Sequence, residues 1–312
     1  MIDGQSLKAM HDLPPLHTLP AFEAAARLGS FLAAAEALHL TPSAISQRIR
    51  LLEERMGQVL LQRSTPCRAT SAGKALARFA EQVSLLEAEM LGEIGAAGTP
   101  EQARLPLPLA VNADSLDSWF MAACETMLAR SSVVVDVRVE DQDYSATLLR
   151  EGSVVAAVSA NASPIQGCSV EAVGIMRYRA LATPEFLQRY FADGVNAVAL
   201  GQAPMLTFNR KDELPARFIR QFTDAAIVPP THFIPSTLGF LEAVRRGLVW
   251  GMIPEGFLGT LVGKGELRDL AAAHYLDVPL YWHRWRFASP VLDALTQAVR
   301  EAAALGLRPP AA

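Results

Sequence analysis

The chain has 312 residues, 51% hydrophobic and 19% charged, with a formal net charge of -4. That length exceeds one small core and favours two or three domains. The composition is that of a soluble globular protein, and a total charge this small says little about partners. Three widely spaced cysteines, Cys67, Cys124 and Cys168, fit neither a disulfide framework nor a zinc knuckle, which indicates a reducing compartment. The first residues lack the apolar core of a signal peptide. No run of eighteen apolar residues offers a membrane span. The expectation is a cytoplasmic protein, with residues 1–15 disordered.

Taken in chain order, residues 16–64 read as short helices joined by tight turns. The first helix of the sharpest motif runs from Phe31 to Leu38, with Ser30 as its N-cap. Ala34 and Ala35 allow a close approach between helices. Thr41 caps a second helix and Pro42 takes its first position, where a missing N–H costs nothing. Ile45, Ile49 and Leu52 form its buried stripe. Pro42, Ser43, Ser46, Gln47 and Arg50 then face outward, the side-chain types that meet base edges in a major groove. Between Thr41 and Arg78 stand seven basic residues against Glu53 and Glu54. Such a local excess suits phosphate binding. Arg48 belongs to this group. Residues 58–73 read as a strand, a turn near Pro66 and a return strand, a wing carrying Arg63 and Arg68.

The next segment, 74–96, reads as a long helix. Ala75, Phe79, Val83, Leu86, Met90 and Ile94 form a stripe suited to pairing with a second copy; packing on its own domain is the alternative. Residues 97–106 form a Gly- and Pro-containing hinge. From Leu107 onward, strands and helices alternate: strands at 107–113, 132–140, 153–160, 204–208, 231–235 and 248–254, with helices between. That alternation argues a mainly parallel sheet in two α/β subdomains with a cleft between them. Their approximate bounds are 107–180 plus 277–305, and 181–276.

The segment AFEAAARLGSFLAAAEALHLTPSAISQRIRLLEERMGQVLLQRS resembles the N-terminus of the LysR-type transcriptional regulators. The resemblance extends over nearly the whole chain. VNADSLDSW, VEDQD, GMIP and LYWHR resemble the arginine- and lysine-sensing branch of that family, typified by ArgP and LysG. It implies an N-terminal winged helix-turn-helix, a dimerising linker helix and an α/β effector domain of periplasmic-binding-protein type, residues 107–305. It further implies tetramers built from dimers on an interrupted palindrome in double-stranded DNA, contact with RNA polymerase, and a basic-amino-acid exporter gene as target.

A basic amino acid needs backbone N–H groups for its carboxylate and carboxylates for its cation. Asn112, Asp114 and Ser115 lie where a strand meets a helix, and Ser236 and Thr237 do the same in the second half. Ser159, near another strand end, joins them. Glu140, Asp141 and Asp143 form an acidic cluster. Ser115 and Ser236 serve equally well as ordinary helix caps, and the acids as a solvated loop. Trp119, Trp250, Trp282 and His283 read as packing residues. The effector expectation is lysine or arginine, with another small molecule as the alternative.

Two rival classes are an α/β enzyme with an accessory helix-turn-helix and an architectural DNA-binding protein. GTLVGKGE, residues 259–266, lacks the P-loop spacing and its following Ser or Thr. No G-x-S-x-G or H-E-x-x-H occurs, and the six histidines show no metal-ligand spacing. The expectation is a regulator without enzymatic activity, cofactor or metal.

Overall fold

The structure is a computed structural model and describes residues 14–94, 105–139, 145–259 and 264–310. The expectation of disorder over 1–15 falls mainly on residues outside that range, as does most of the hinge 97–106.

Three helices and a wing form the N-terminal unit. α1 spans Leu19–Leu28, α2 Phe31–Ala37 and α3 Pro42–Met56. Their caps follow the sequence. The Ser30 hydroxyl accepts from the Ala33 N–H, and the Thr41 hydroxyl from the Ala44 N–H at 3.2 Å. Gly57 ends α3 in the left-handed region at φ 63°, a conformation glycine adopts without a Cβ penalty. Phe22, Ala34, Ala35, Ile45, Ile49 and Leu52 are buried together with Leu60 and Leu61. β1, Leu61–Gln62, pairs antiparallel with β2, Arg68–Ala69, to make the wing.

The long helix α4 spans Ser71–Glu93. Leu76 and Ala80 belong to the N-terminal core, whereas Leu85 belongs to the core of the C-terminal part. One helix therefore touches both. Its other face carries Phe79, Leu86, Met90 and Ile94, all exposed. One face packs on its own chain, and the apolar stripe on the opposite face is uncovered.

The rest is a nine-stranded sheet covered by helices. β3 (Leu105–Val111) lies between β4 (Val133–Val139) and β5 (Ala156–Ser159), parallel to both. A helical turn (Ala113–Ser115) and a π-helical stretch (Leu116–Phe120) lead directly into α5 (Met121–Arg130), and α5 and α6 (Ser145–Glu151) connect the strands. β6 (Cys168–Ala182) is the longest strand. α7 (Pro184–Tyr190) and α8 (Ala197–Gln202) follow it. β7 (Met205–Thr207), α9 (Leu214–Ile219), β8 (Thr231–Phe233), α10 (Thr237–Arg245) and β9 (Trp250–Pro254) build the second half. β10 (Arg268–Asp269) pairs with β6. β11 (Tyr275–Trp285) returns antiparallel along β6, and α11 (Pro290–Gly306) closes the first half.

The sheet is mixed, which corrects the expectation of a mainly parallel one. β6 and β11 run antiparallel and traverse both halves. The first end of β6 pairs with Tyr281–Trp285 of β11 and the whole of β5 with Tyr281–Arg284, while Tyr178–Leu181 of β6 pair with β9. Between these regions the register of β11 slips at Leu280/Tyr281, a β-bulge that bends the ladder. Gly174 sits opposite. A Cβ there would meet the Leu307 Cβ at 2.7 Å, so the C-terminal segment needs glycine at the crossover. Trp282 and Trp285 are fully buried, the Trp282 indole donating to the Thr296 hydroxyl of α11 at 3.2 Å and the Trp285 indole to the Leu149 carbonyl of α6 at 3.4 Å. His283 is buried with its Nε2 on the Asn161 carbonyl at 2.8 Å, and burial holds its pKa below the usual histidine value.

Candidate functional site

Burial of Ile45, Ile49 and Leu52 fixes the rotation of α3. Pro42, Ser43, Gln47 and Arg50 are then exposed, and Ser46 and Arg48 half-buried. Arg63 and Arg68 are exposed on the wing. Glu53 is turned to the wing. Its Oε1 accepts from the backbone N–H groups of Leu60 and Leu61, at 2.9 and 3.2 Å. It ties the end of α3 to the first wing strand.

The second site is a cavity of about 680 Å³ between the two halves of the sheet. That volume suits a small organic molecule. Asn112, Asp114 and Thr237 line it. They come from the carboxyl end of β3 and from the start of α10, where helix N-termini favour an anionic group. The Asn112 Oδ1 and Thr237 Oγ1 are buried without hydrogen-bond partners, which is costly unless a ligand group meets them.

Three candidates lie elsewhere. Ser115 is fully buried behind the cavity wall, because its helix turns that face into the core. Ser236 keeps its capping role, accepting from the Gly239 N–H at 3.2 Å. Ser159 lines a separate small pocket with Ser145 and His283. Glu140, Asp141 and Asp143 lie outside the described residues.

Tyr178 and Asp212 join the cavity without any local sequence signal. The Tyr178 hydroxyl, on β6, donates to Asp114 Oδ2 at 2.7 Å. Asp212 enters from the second half on a loop built by its own turn bonds. Asn209 Oδ1 accepts from the N–H groups of Lys211 and Asp212 at 2.8 and 3.1 Å. Asp212 in turn accepts from Phe208 and Leu214, each at 3.0 Å. Asp114 and Asp212 thus bring one carboxylate from each half to the same cavity, joined by Glu213, Lys211 and Arg217. Removal from water pushes the Asp114 pKa up to about 6; the Tyr178 hydrogen bond opposes this, and the charges of Asp212 and Asp117 add to it. Burial, then the Asp114 charge, holds the Tyr178 hydroxyl well above its usual value.

Residues 16–74 match the model for the bacterial regulatory helix-turn-helix protein, lysR family, and residues 102–304 match the LysR substrate binding domain. The chain belongs to the LysR family of transcriptional regulators. Among its LysR relatives, the regulator LysG of Mycobacterium tuberculosis is 47% identical over 285 residues, covering 91% of this chain and 92% of that protein. The crystal structure of ArgP from Mycobacterium tuberculosis superposes with a TM-score of 0.84 at 46% identity, over 94% of this chain and 98% of that one. Full-length LysG from Corynebacterium glutamicum with bound effector Arg gives 0.77 at 38% identity, over 95% and 100%. This LysR-type chain is therefore of the LysG and ArgP type, a regulator and not an enzyme. Among the described residues, no helix is long and apolar enough to cross a membrane.

Proposed function

We propose that this LysR-type regulator binds lysine or arginine in the cleft between its two sheet halves, and controls a basic-amino-acid exporter gene from the cytoplasm. The observation that carries the reading is the pair Asp114 and Asp212, which reach one cavity from opposite halves. Two acids on opposite walls repel when empty and are bridged by a cation, which favours a closed cleft. Thr237 and the helix N-terminus at Ala113 suit the ligand's carboxylate, and the Asn112 oxygen its ammonium. The arginine bound to the Corynebacterium glutamicum relative supports the same class.

On DNA, Pro42, Ser43, Ser46, Gln47 and Arg50 face base edges, while Arg48, Arg63 and Arg68 meet phosphates of an interrupted palindrome. The uncovered stripe of α4 pairs with a second copy, and two dimers form the tetramer that engages RNA polymerase. Calorimetry of the full chain with arginine, lysine, histidine and an aromatic acid is the test. Saturable binding of arginine or lysine alone supports the effector assignment; saturation by the aromatic acid and not by either base overturns it.

A further inference from the structure

The effector reading leaves one half-buried group with more to do than pair a charge. Asp114 sits at the end of β3, turned into the cavity rather than to solvent, with the Tyr178 hydroxyl 2.7 Å from its Oδ2. Asp117 lies on its own helix. From the second half come Asp212, Glu213, Lys211 and Arg217. The neighbouring turn carries Glu255, which is held by Arg308 at 2.9 Å. Glu140, Asp141 and Asp143 follow β4 outside the described residues.

The two facing acids are not equivalent. Asp212 has backbone N–H groups on both of its oxygens. Asp114 rests on a hydroxyl, in a wall built of Val139, Phe208, Met252 and Val278. A carboxylate in such surroundings, facing a second one, takes a proton readily.

We infer that Asp114 is a proton-exchanging carboxyl in the effector cavity: it carries a proton in the empty cleft at mildly acid pH and surrenders it when a cationic ligand group arrives. The balance is simple. The protonated carboxyl and the ligand's ammonium or guanidinium become an ion pair, and one proton leaves to solvent. No other group changes its covalent state. This deepens the proposed effector reading and rests on it. Its consequence is that the regulator reads the basic amino acid and the proton together, losing sensitivity to the ligand as the pH falls.

The direction follows from linkage. With Asp114 at about 6 in the empty cleft, affinity is flat above that pH. Below it, affinity drops by about tenfold per pH unit until the carboxyl of the complex titrates too. Tyr178 is a positioning residue here. Its hydroxyl favours the ionised form, so Tyr178→Phe moves the break in the profile to higher pH.

The experiment is calorimetry of the full chain with L-arginine and L-lysine at pH 6 and pH 8, in buffers of different ionisation enthalpy. The expected result is a release of about half a proton at pH 6 and almost none at pH 8, with Asp114→Asn binding more weakly and releasing none at either pH. Tyr178→Phe should shift the break upward. Saturable binding with no proton released at pH 6, or an unmoved break in Tyr178→Phe, overturns the inference while leaving the effector reading in place. No binding of either amino acid at either pH overturns both.

Discussion

Glu89 on the linker helix accepts hydrogen bonds from the Ser289 hydroxyl and from the Val291 N–H, the latter at 3.1 Å. Ser289 is itself the N-cap of α11, accepting from Leu292 at 3.1 Å. A carboxylate from α4 therefore completes the first turn of the helix that covers the first half of the effector domain. Lys74 and Glu151 make a second tie, an ion pair from α4 to α6. Gly152 makes a third contact, so close to the Arg78 backbone that a Cβ there would stand 2.5 Å from its Cα. These contacts give the effector domain a mechanical hold on the helix that leads to the DNA-reading unit.

Glu89→Ala should cost about 1–2 kcal/mol of stability, because it removes a charge-assisted cap on a buried helix start. Arginine affinity should stay within about twofold, since Glu89 does not line the cavity, while the arginine-induced change in DNA affinity shrinks. Denaturant unfolding and DNA titration with and without arginine check both parts. An unaltered response to arginine would remove Glu89 from the coupling.

Gln47→Ala should weaken binding to the specific site by about 1–3 kcal/mol and change binding to random DNA little. Arg63→Ala should weaken both alike and lower the salt slope by about 1. Titrations of the two variants against specific and random duplexes at several salt concentrations separate these outcomes. Equal loss on both duplexes for Gln47→Ala would end its role in direct readout.

Much of this was legible in the sequence, and the failures have physical causes. The helix-turn-helix was readable because its signals are local: caps at Ser30 and Thr41, small Ala34 and Ala35, a stripe at Ile45, Ile49 and Leu52. β6 went unread although its period-two pattern was there. Met176, Tyr178 and Ala180 are buried, while Arg177 and Arg179 alternate with them. Those arginines resemble an exposed surface until their partners are known: Asp277, bonded to Arg177 at 2.7 Å, and Asp269, paired with Arg179. Missing this strand also made the sheet look parallel. Asn112, Asp114 and Thr237 stand out in the sequence because strand ends and helix starts mark ligand sites, and all three line one cavity. Asp212 does not stand out, since nothing local in FNRKDELP tells where that loop docks.

Asp212→Asn should weaken arginine by about tenfold or more, as one of two facing charges is lost. Ser159→Ala should leave arginine affinity unchanged, because Ser159 lines the smaller pocket beside His283. Both are measured by the same calorimetry. A larger effect from Ser159 than from Asp212 would place the ligand elsewhere.

A last prediction concerns the junction of α1 and α4. Glu23 and Glu81 lie there half-buried, and burial first, then the Glu23 charge, pushes Glu81 from the usual 4.5 up to about 7; Arg27 and Arg138 oppose the shift. The folded chain thus holds a proton that the unfolded chain has released between about pH 4.5 and 7. Stability from this group is full below that window and is lost as pH rises through it. Glu81→Gln removes the cost at neutral pH, so the variant should be more stable than the parent at pH 8 by on the order of 1–3 kcal/mol. The advantage should vanish at acid pH, where the parent glutamate is protonated. Melting curves of both proteins at pH 5 and pH 8 test this. A variant whose advantage is equal at the two values would show that its gain comes from packing or helix propensity and not from the carboxylate charge.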